Sequence, residues 1–97
     1  MAMYVSLIKF TDQGIHNIKD TLKRHQAAMT EAEKMGMKII EPFWTMGAYD
    51  VVVLLDAPDD ETMTAFALKV SSMGSVKTQT MRAFRTEEME GILAKIK

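Results

Sequence analysis

Met46-Gly47-Ala48-Tyr49-Asp50 runs straight into Val51-Val52-Val53-Leu54-Leu55. An unbroken apolar run at strand length predicts a strand with both faces covered, as in the middle of a sheet. A Tyr-Asp pair at the mouth of such a strand needs partners, because burying an unpaired carboxylate costs several kcal/mol or more. Gly47-Ala48 predicts a tight turn. Upstream, Met37 to Met46 reads as a second strand that feeds this turn. Pro42 within it cannot donate a ladder hydrogen bond, which places that strand at an edge or at a bulge.

Toward the N-terminus, Met3 to Phe10 has the composition of a strand. Thr11-Asp12 offers helix caps, and Ile15, Ile18, Leu22, Met29 and Ala32 follow at spacings near three and four. That spacing predicts one long helix with a single apolar face, closed by Gly36. Past the apolar strand, taken as Tyr49 to Asp56, Ala57-Pro58-Asp59-Asp60 opens another helix, with acids facing its positive end. Met63, Phe66, Val70 and Met73 mark its buried face, and Gly74 ends it. Ser75 to Phe84 alternates as a strand, with Val76, Thr78, Thr80 and Arg82 on one face. Thr86-Glu87-Glu88 caps a terminal helix carrying Met89, Ile92 and Ile96. The order predicts an α+β fold, the ferredoxin-like βαββαβ arrangement with a C-terminal helix, as one domain over residues 1–97. Its helices cover one face of the sheet. A second copy of the chain is the simplest cover for the other, giving a dimeric α/β barrel.

Composition narrows the function classes. Hydrophobic residues make up 47% of the chain and charged residues 26%, ordinary values for a soluble protein. A net charge of −1 carries no electrostatic footprint for nucleic acid. With no cysteine, thiol catalysis, disulfides and thiolate metal sites are excluded. No apolar run approaches the roughly 20 residues of a membrane span. The chain opens on a strand pattern rather than a signal peptide, so a cytoplasmic location is expected. The 10 methionines read as core filling rather than as a soft-metal surface.

Gly47-Ala48-Tyr49-Asp50 matches the Gly-x-Tyr-Asp signature of the GYD domain family, which the chain resembles. Phe10-Thr11-Asp12-Gln13-Gly14, Ile18-Lys19-Asp20-Thr21, Thr45-Met46-Gly47, Ala57-Pro58-Asp59-Asp60 and Arg82-Ala83-Phe84 also resemble segments of that family, in the same order. The resemblance implies a fold similar to the dimeric α/β-barrel proteins and assigns no reaction.

Four side chains are candidates for a ligand site: Tyr49, Asp50, Arg82 and His25. Tyr49 and Asp50 either line a cavity, where they would bind a ligand or move a proton, or anchor the turn, with Asp50 accepting backbone N–H groups near Gly47. Arg82 either holds an anion or pairs with Asp50 or another acid. His25 lies where the first helix's apolar stripe continues; it is a partly buried packing residue or a group that titrates near neutral pH. His16 is nine residues away, which is not the spacing of helical metal ligands. Asp56, Asp59, Asp60 and Glu61 lack the order of a calcium loop and read as helix capping. Lys19, Lys23 and Arg24 read as a solvated helix face. With no glycine-rich phosphate loop, nucleophile elbow or triad order, neither a cofactor nor a metal is expected. Two functions remain: a homo-oligomeric module that binds a small molecule or simply assembles, and a cofactor-independent enzyme using the barrel cavity. The expected partners are the chain itself and a small molecule, without nucleic acid or membrane.

Overall fold

The computed structural model describes residues 1–97. Strand β1 (Ala2–Phe10) leads into a short helix α1 (Asp12–His16), a 3-10 turn (Ile18–Asp20) and helix α2 (Thr21–Lys34). Strands β2 (Lys38–Trp44) and β3 (Val51–Ala57) follow, then helix α3 (Asp60–Ser72), strand β4 (Val76–Ala83) and helix α4 (Thr86–Leu93). The strands form one antiparallel sheet in the order β2-β3-β1-β4. This is the ferredoxin-like arrangement, with a terminal helix added. No helix is long and apolar enough to cross a membrane.

Strand β2 is an edge strand, and its pairing with β3 shifts register between Ile39 and Glu41, next to Pro42. The missing N–H of Pro42 is thus placed where the ladder tolerates it. Along β3 the side chains alternate: Val51, Val53, Leu55 and Ala57 are buried, while Val52, Leu54 and Asp56 are half-buried. The buried set shares a face with Tyr4, Ser6 and Ile8 of β1 and packs against Met63 and Phe66 of α3 and Ala32 of α2. The other face carries Val5, Leu7, Val52, Leu54, Phe43 and Met81 with no helix over it, all left at least partly accessible.

Three local expectations are corrected. The helix expected through Ile15 to Gly36 is broken at Asn17. Its N–H and side-chain amide both turn back to the Gln13 carbonyl, and its own carbonyl receives Asp20 N–H and the Arg24 guanidinium. The break turns the apolar stripe outward: Ile15 is 55%, Ile18 39% and Leu22 67% exposed. The face of α2 turned to the protein is made instead by His25, Ala28 and Ala32. Second, β3 starts at Val51 rather than Tyr49. The Thr45 N–H bonds the Asp50 carbonyl at 2.8 Å, and the Thr45 hydroxyl bonds the Tyr49 carbonyl at 2.6 Å, which holds residues 45–50 as a closed loop. Gly47 within it has φ +110°, a conformation that favours glycine. Third, only Met37 and Met63 are buried methionines, and Met46, Met73, Met81 and Met89 are exposed. Helical spacing marks a face but does not say what covers it.

Candidate functional site

The helices do not close on the sheet. Between α2, α3 and the covered face lies a cleft of about 180 Å³. Ile8, Val51, Val53 and Leu55 form its floor, and Phe66 and Val70 of α3 its far wall. The small side chains of Ala27 and Ala28 on α2 leave the space open. Polar groups stand on the α2 side and at the strand ends. Arg24, His25, Glu31 and Trp44 all line the cleft.

Of the four candidates, His25 alone faces this cleft. Its ring meets Trp44 edge-on, with centroids 5.7 Å apart, and burial lowers its pKa from the ordinary value, favouring the neutral ring. Trp44 is in turn oriented by a bond from its indole N–H to the Thr21 hydroxyl at 3.1 Å.

Asp50 sits at the end of β1 and acts on backbone. Its carboxylate accepts the Phe10 N–H at 2.8 Å, and its own N–H donates to the Ile8 carbonyl at 2.8 Å. The partner is therefore strand β1 rather than the Gly47 turn. Replacing Asp50 with Ala leaves the Phe10 N–H without its acceptor. The expected loss is about 1–3 kcal/mol, with Asp50→Asn losing less because it keeps an acceptor oxygen. Urea denaturation of the two variants checks this, and equal midpoints for Asp50→Ala and wild type would remove the anchoring role.

Tyr49 lies on the open face. Its hydroxyl donates to Gln79 Oε1 at 3.0 Å, and Lys9 Nζ stands 5.5 Å from its ring centroid. Arg82 is at the other end of the sheet, opposite Tyr4 in register. It pairs with Glu88 of α4 at 3.3 Å, donates to the carbonyls of Met3 and Ala83, and stacks 4.5 Å from the Phe84 ring centroid. Its acid partner is thus Glu88 and not Asp50. With Tyr4, Asp60, Thr64, Ser71 and Thr80 it lines a second, polar groove of about 510 Å³ between α3 and β4. The four candidates therefore do not converge on one point. They occupy the covered face, a strand end, the open face and the far edge.

The acidic cluster is likewise dispersed. Asp59 accepts the Thr62 N–H at 2.7 Å and caps α3. Asp60 accepts the hydroxyl of Tyr4. Asp56 faces the open side and pairs with Arg85 at 3.1 Å. Two residues of consequence escape the sequence reading. Tyr4 is 3% exposed, and burial, with the bond to Asp60, pushes its phenol up to about 12. Arg24, expected in solvent, lies against Phe10 at 5.9 Å and lines the cleft. The available signal was the spacing Arg24, Ala28, Glu31, Ala32, which puts Arg24 on the same helix face as the alanines that line the cleft and the core.

A four-stranded antiparallel sheet with helices on one face, in the order βαββαβ plus a terminal helix, defines the class: a ferredoxin-like α+β protein. The chain belongs to the GYD domain family, whose model matches residues 4–93. It is 28% identical over 90 residues to a Thermus thermophilus protein named "Glutamine synthetase and cystathionine beta-lyase binding protein", covering 92% of this chain and 95% of that one. The fold also matches a crystal structure of a protein from Thermus thermophilus with a TM-score of 0.57 and 24% identity, covering 89% of this chain and 96% of the other.

Proposed function

We propose that this protein is a homo-oligomeric assembly and binding module whose open sheet face is covered by a second copy of the chain. The two sheets pair face to face as a dimeric α/β barrel. The observation that carries this reading is surface area. The lone chain exposes 6574 Å². A compact monomer of 10.9 kDa exposes roughly 5,600 Å². The excess, roughly 1,000 Å², is close to the approximately 800 Å² that each partner contributes to a standard interface. The radius of gyration of 14.6 Å agrees, since about 12.5 Å is usual at this length.

The composition of the face supports the same reading. Val5, Leu7, Val52 and Leu54 sit side by side at its centre. Contiguous apolar surface of this kind marks an interface in soluble proteins. The relative named as a binding protein for two enzymes supports assembly over catalysis. The alternative, a cofactor-independent enzyme, rests on His25 in its apolar cleft. It lacks a second free acid or base there, because Glu31, the cleft's carboxylate, is held by Lys69 at 2.6 Å.

Light scattering of the purified protein tests this. A dimer or a multiple of it is expected at micromolar concentration, burying about 1,600 Å² or more in total. Leu54→Lys, placed on the open face away from the covered core, is expected to give a folded monomer. A wild-type monomer at that concentration would overturn the reading.

A further inference from the structure

We infer that the cleft between α2, α3 and the covered sheet face is a binding site for a small carboxylate with an apolar body, an aryl or medium-chain aliphatic acid, its carboxylate held by Arg24. The site stands apart from the open face and does not depend on assembly.

Size comes first. At about 180 Å³ the cleft exceeds an apolar cavity of roughly 150 Å³, which takes up benzene. One aromatic ring or a chain of about six to eight carbons fits. The inner walls select against polar bodies. Ile8, Val53, Leu55, Phe66 and Val70 offer no donor or acceptor. The Ser6 hydroxyl on the floor is already engaged with Thr80 Oγ1 at 3.1 Å. A sugar or nucleotide would leave its hydroxyls or amides unpaired against these walls, which is costly.

Charge then fixes the head group. Arg24 takes part in none of the three ion pairs of the chain. Its guanidinium is held by the Asn17 carbonyl at 2.8 Å and the Gly14 carbonyl at 3.3 Å. A guanidinium has five N–H donors, so donors remain for a ligand, and the group is held in place before a ligand arrives. The one carboxylate on the cleft wall, Glu31, is neutralised by Lys69. The uncompensated charge at the cleft is therefore positive, and a planar carboxylate is an anion that an arginine fork can hold bidentately.

Trp44, the only tryptophan of the chain, lines the cleft and reports occupancy. The test titrates the full chain with phenylacetate, phenylacetamide and acetate, following Trp44 fluorescence and calorimetric heat. Phenylacetate is expected to saturate at one site per chain, about tenfold or more tighter than either phenylacetamide, which lacks the charge, or acetate, which lacks the body. Arg24→Gln is expected to weaken phenylacetate about tenfold and leave phenylacetamide unchanged. Ala28→Phe is expected to abolish both by filling the cleft. If Arg24→Gln fails to fold, the comparison of phenylacetate with phenylacetamide on the wild type decides alone. No saturation at about 10 mM, equal affinity for acid and amide, or a folded Arg24→Gln chain that binds phenylacetate as the wild type does would each overturn the assignment. Light scattering on the same samples separates this outcome from any failure of dimerisation.

Discussion

Gly14→Ala is expected to destabilise the protein by about 3 kcal/mol or more. Gly14 is buried where α1 crosses the turn before β4. A Cβ built there would lie 2.1 Å from the Ser75 carbonyl oxygen and 3.3 Å from the Cβ of Phe10. The obstacle is backbone, so no side-chain rotation relieves it. Moving the Ser75 carbonyl would break the bond it accepts from the Thr11 N–H at 3.0 Å. That bond belongs to a bolt between α1 and the turn, in which the Thr11 hydroxyl also donates to the Gly74 carbonyl at 2.5 Å and accepts the Gly14 N–H at 3.2 Å. Overpacking costs typically about 1–3 kcal/mol, and the lost hydrogen bond adds about 1 kcal/mol. For a chain of this size the melting temperature should fall on the order of 15 °C. Thermal melts at one fixed chain concentration check it, since the proposed assembly would make the midpoint depend on concentration. Gly91→Ala is the control. Nothing lies within 4 Å of its Cβ position in exposed α4, so it should be neutral or slightly stabilising. Equal melting temperatures for Gly14→Ala and wild type would show that the Ser75 turn yields freely.

The second large effect is alkaline. The Tyr4 phenol is pushed up to about 12, first by burial, then by its bond to Asp60 and the charge of that carboxylate, with Arg82 opposing. In the unfolded chain its pKa is near 10. The native state therefore keeps a proton that the unfolded chain gives up. The stabilisation is fully present below pH 10 and is lost as pH rises through the native pKa, so the window is pH 10 to 12. The slope is about 1.4 kcal/mol per pH unit, or about 2–3 kcal/mol over the window. Other groups titrate there too, so the difference between wild type and Tyr4→Phe isolates this one. Tyr4→Phe should be less stable by about 1 kcal/mol at neutral pH, having lost the bond to Asp60, and should lose less stability across the alkaline window. Urea midpoints from pH 9 to 12 measure it. Parallel curves for the two proteins would sink the assignment.

Much of the architecture was legible in the order of residues. The run Val51 to Leu55 marked a central strand, and β3 lies between β2 and β1. Pro42 marked a strand at an edge or at a bulge, and β2 is an edge strand whose pairing shifts register beside it. Asp59 and Asp60 marked a helix start, and α3 begins at Asp60. These features are local. Alternation, capping and the lost N–H of proline act within a few residues, so the sequence itself determines them.

Tertiary structure alone decided the rest. The stripe Ile15, Ile18, Leu22 has helical spacing, yet the chain breaks at Asn17 and the stripe turns out to solvent. Arg24 belongs by sequence with Lys19 and Lys23, yet the same break carries it to the cleft, where two backbone carbonyls hold it. Asp50 and Arg82 both read as one site, yet the register of β1 with β4 puts Arg82 opposite Tyr4, while Asp50 reaches Phe10 at the far end of the same strand. The Asn17 break behind the first two is made by contacts within ten residues, to Gln13, Gly14, Asp20 and Arg24, which periodicity does not read; the third has a longer-range reason. A periodic pattern states which residues share a face, whereas the partner of that face is set by pairings tens of residues apart, between which local propensity does not discriminate.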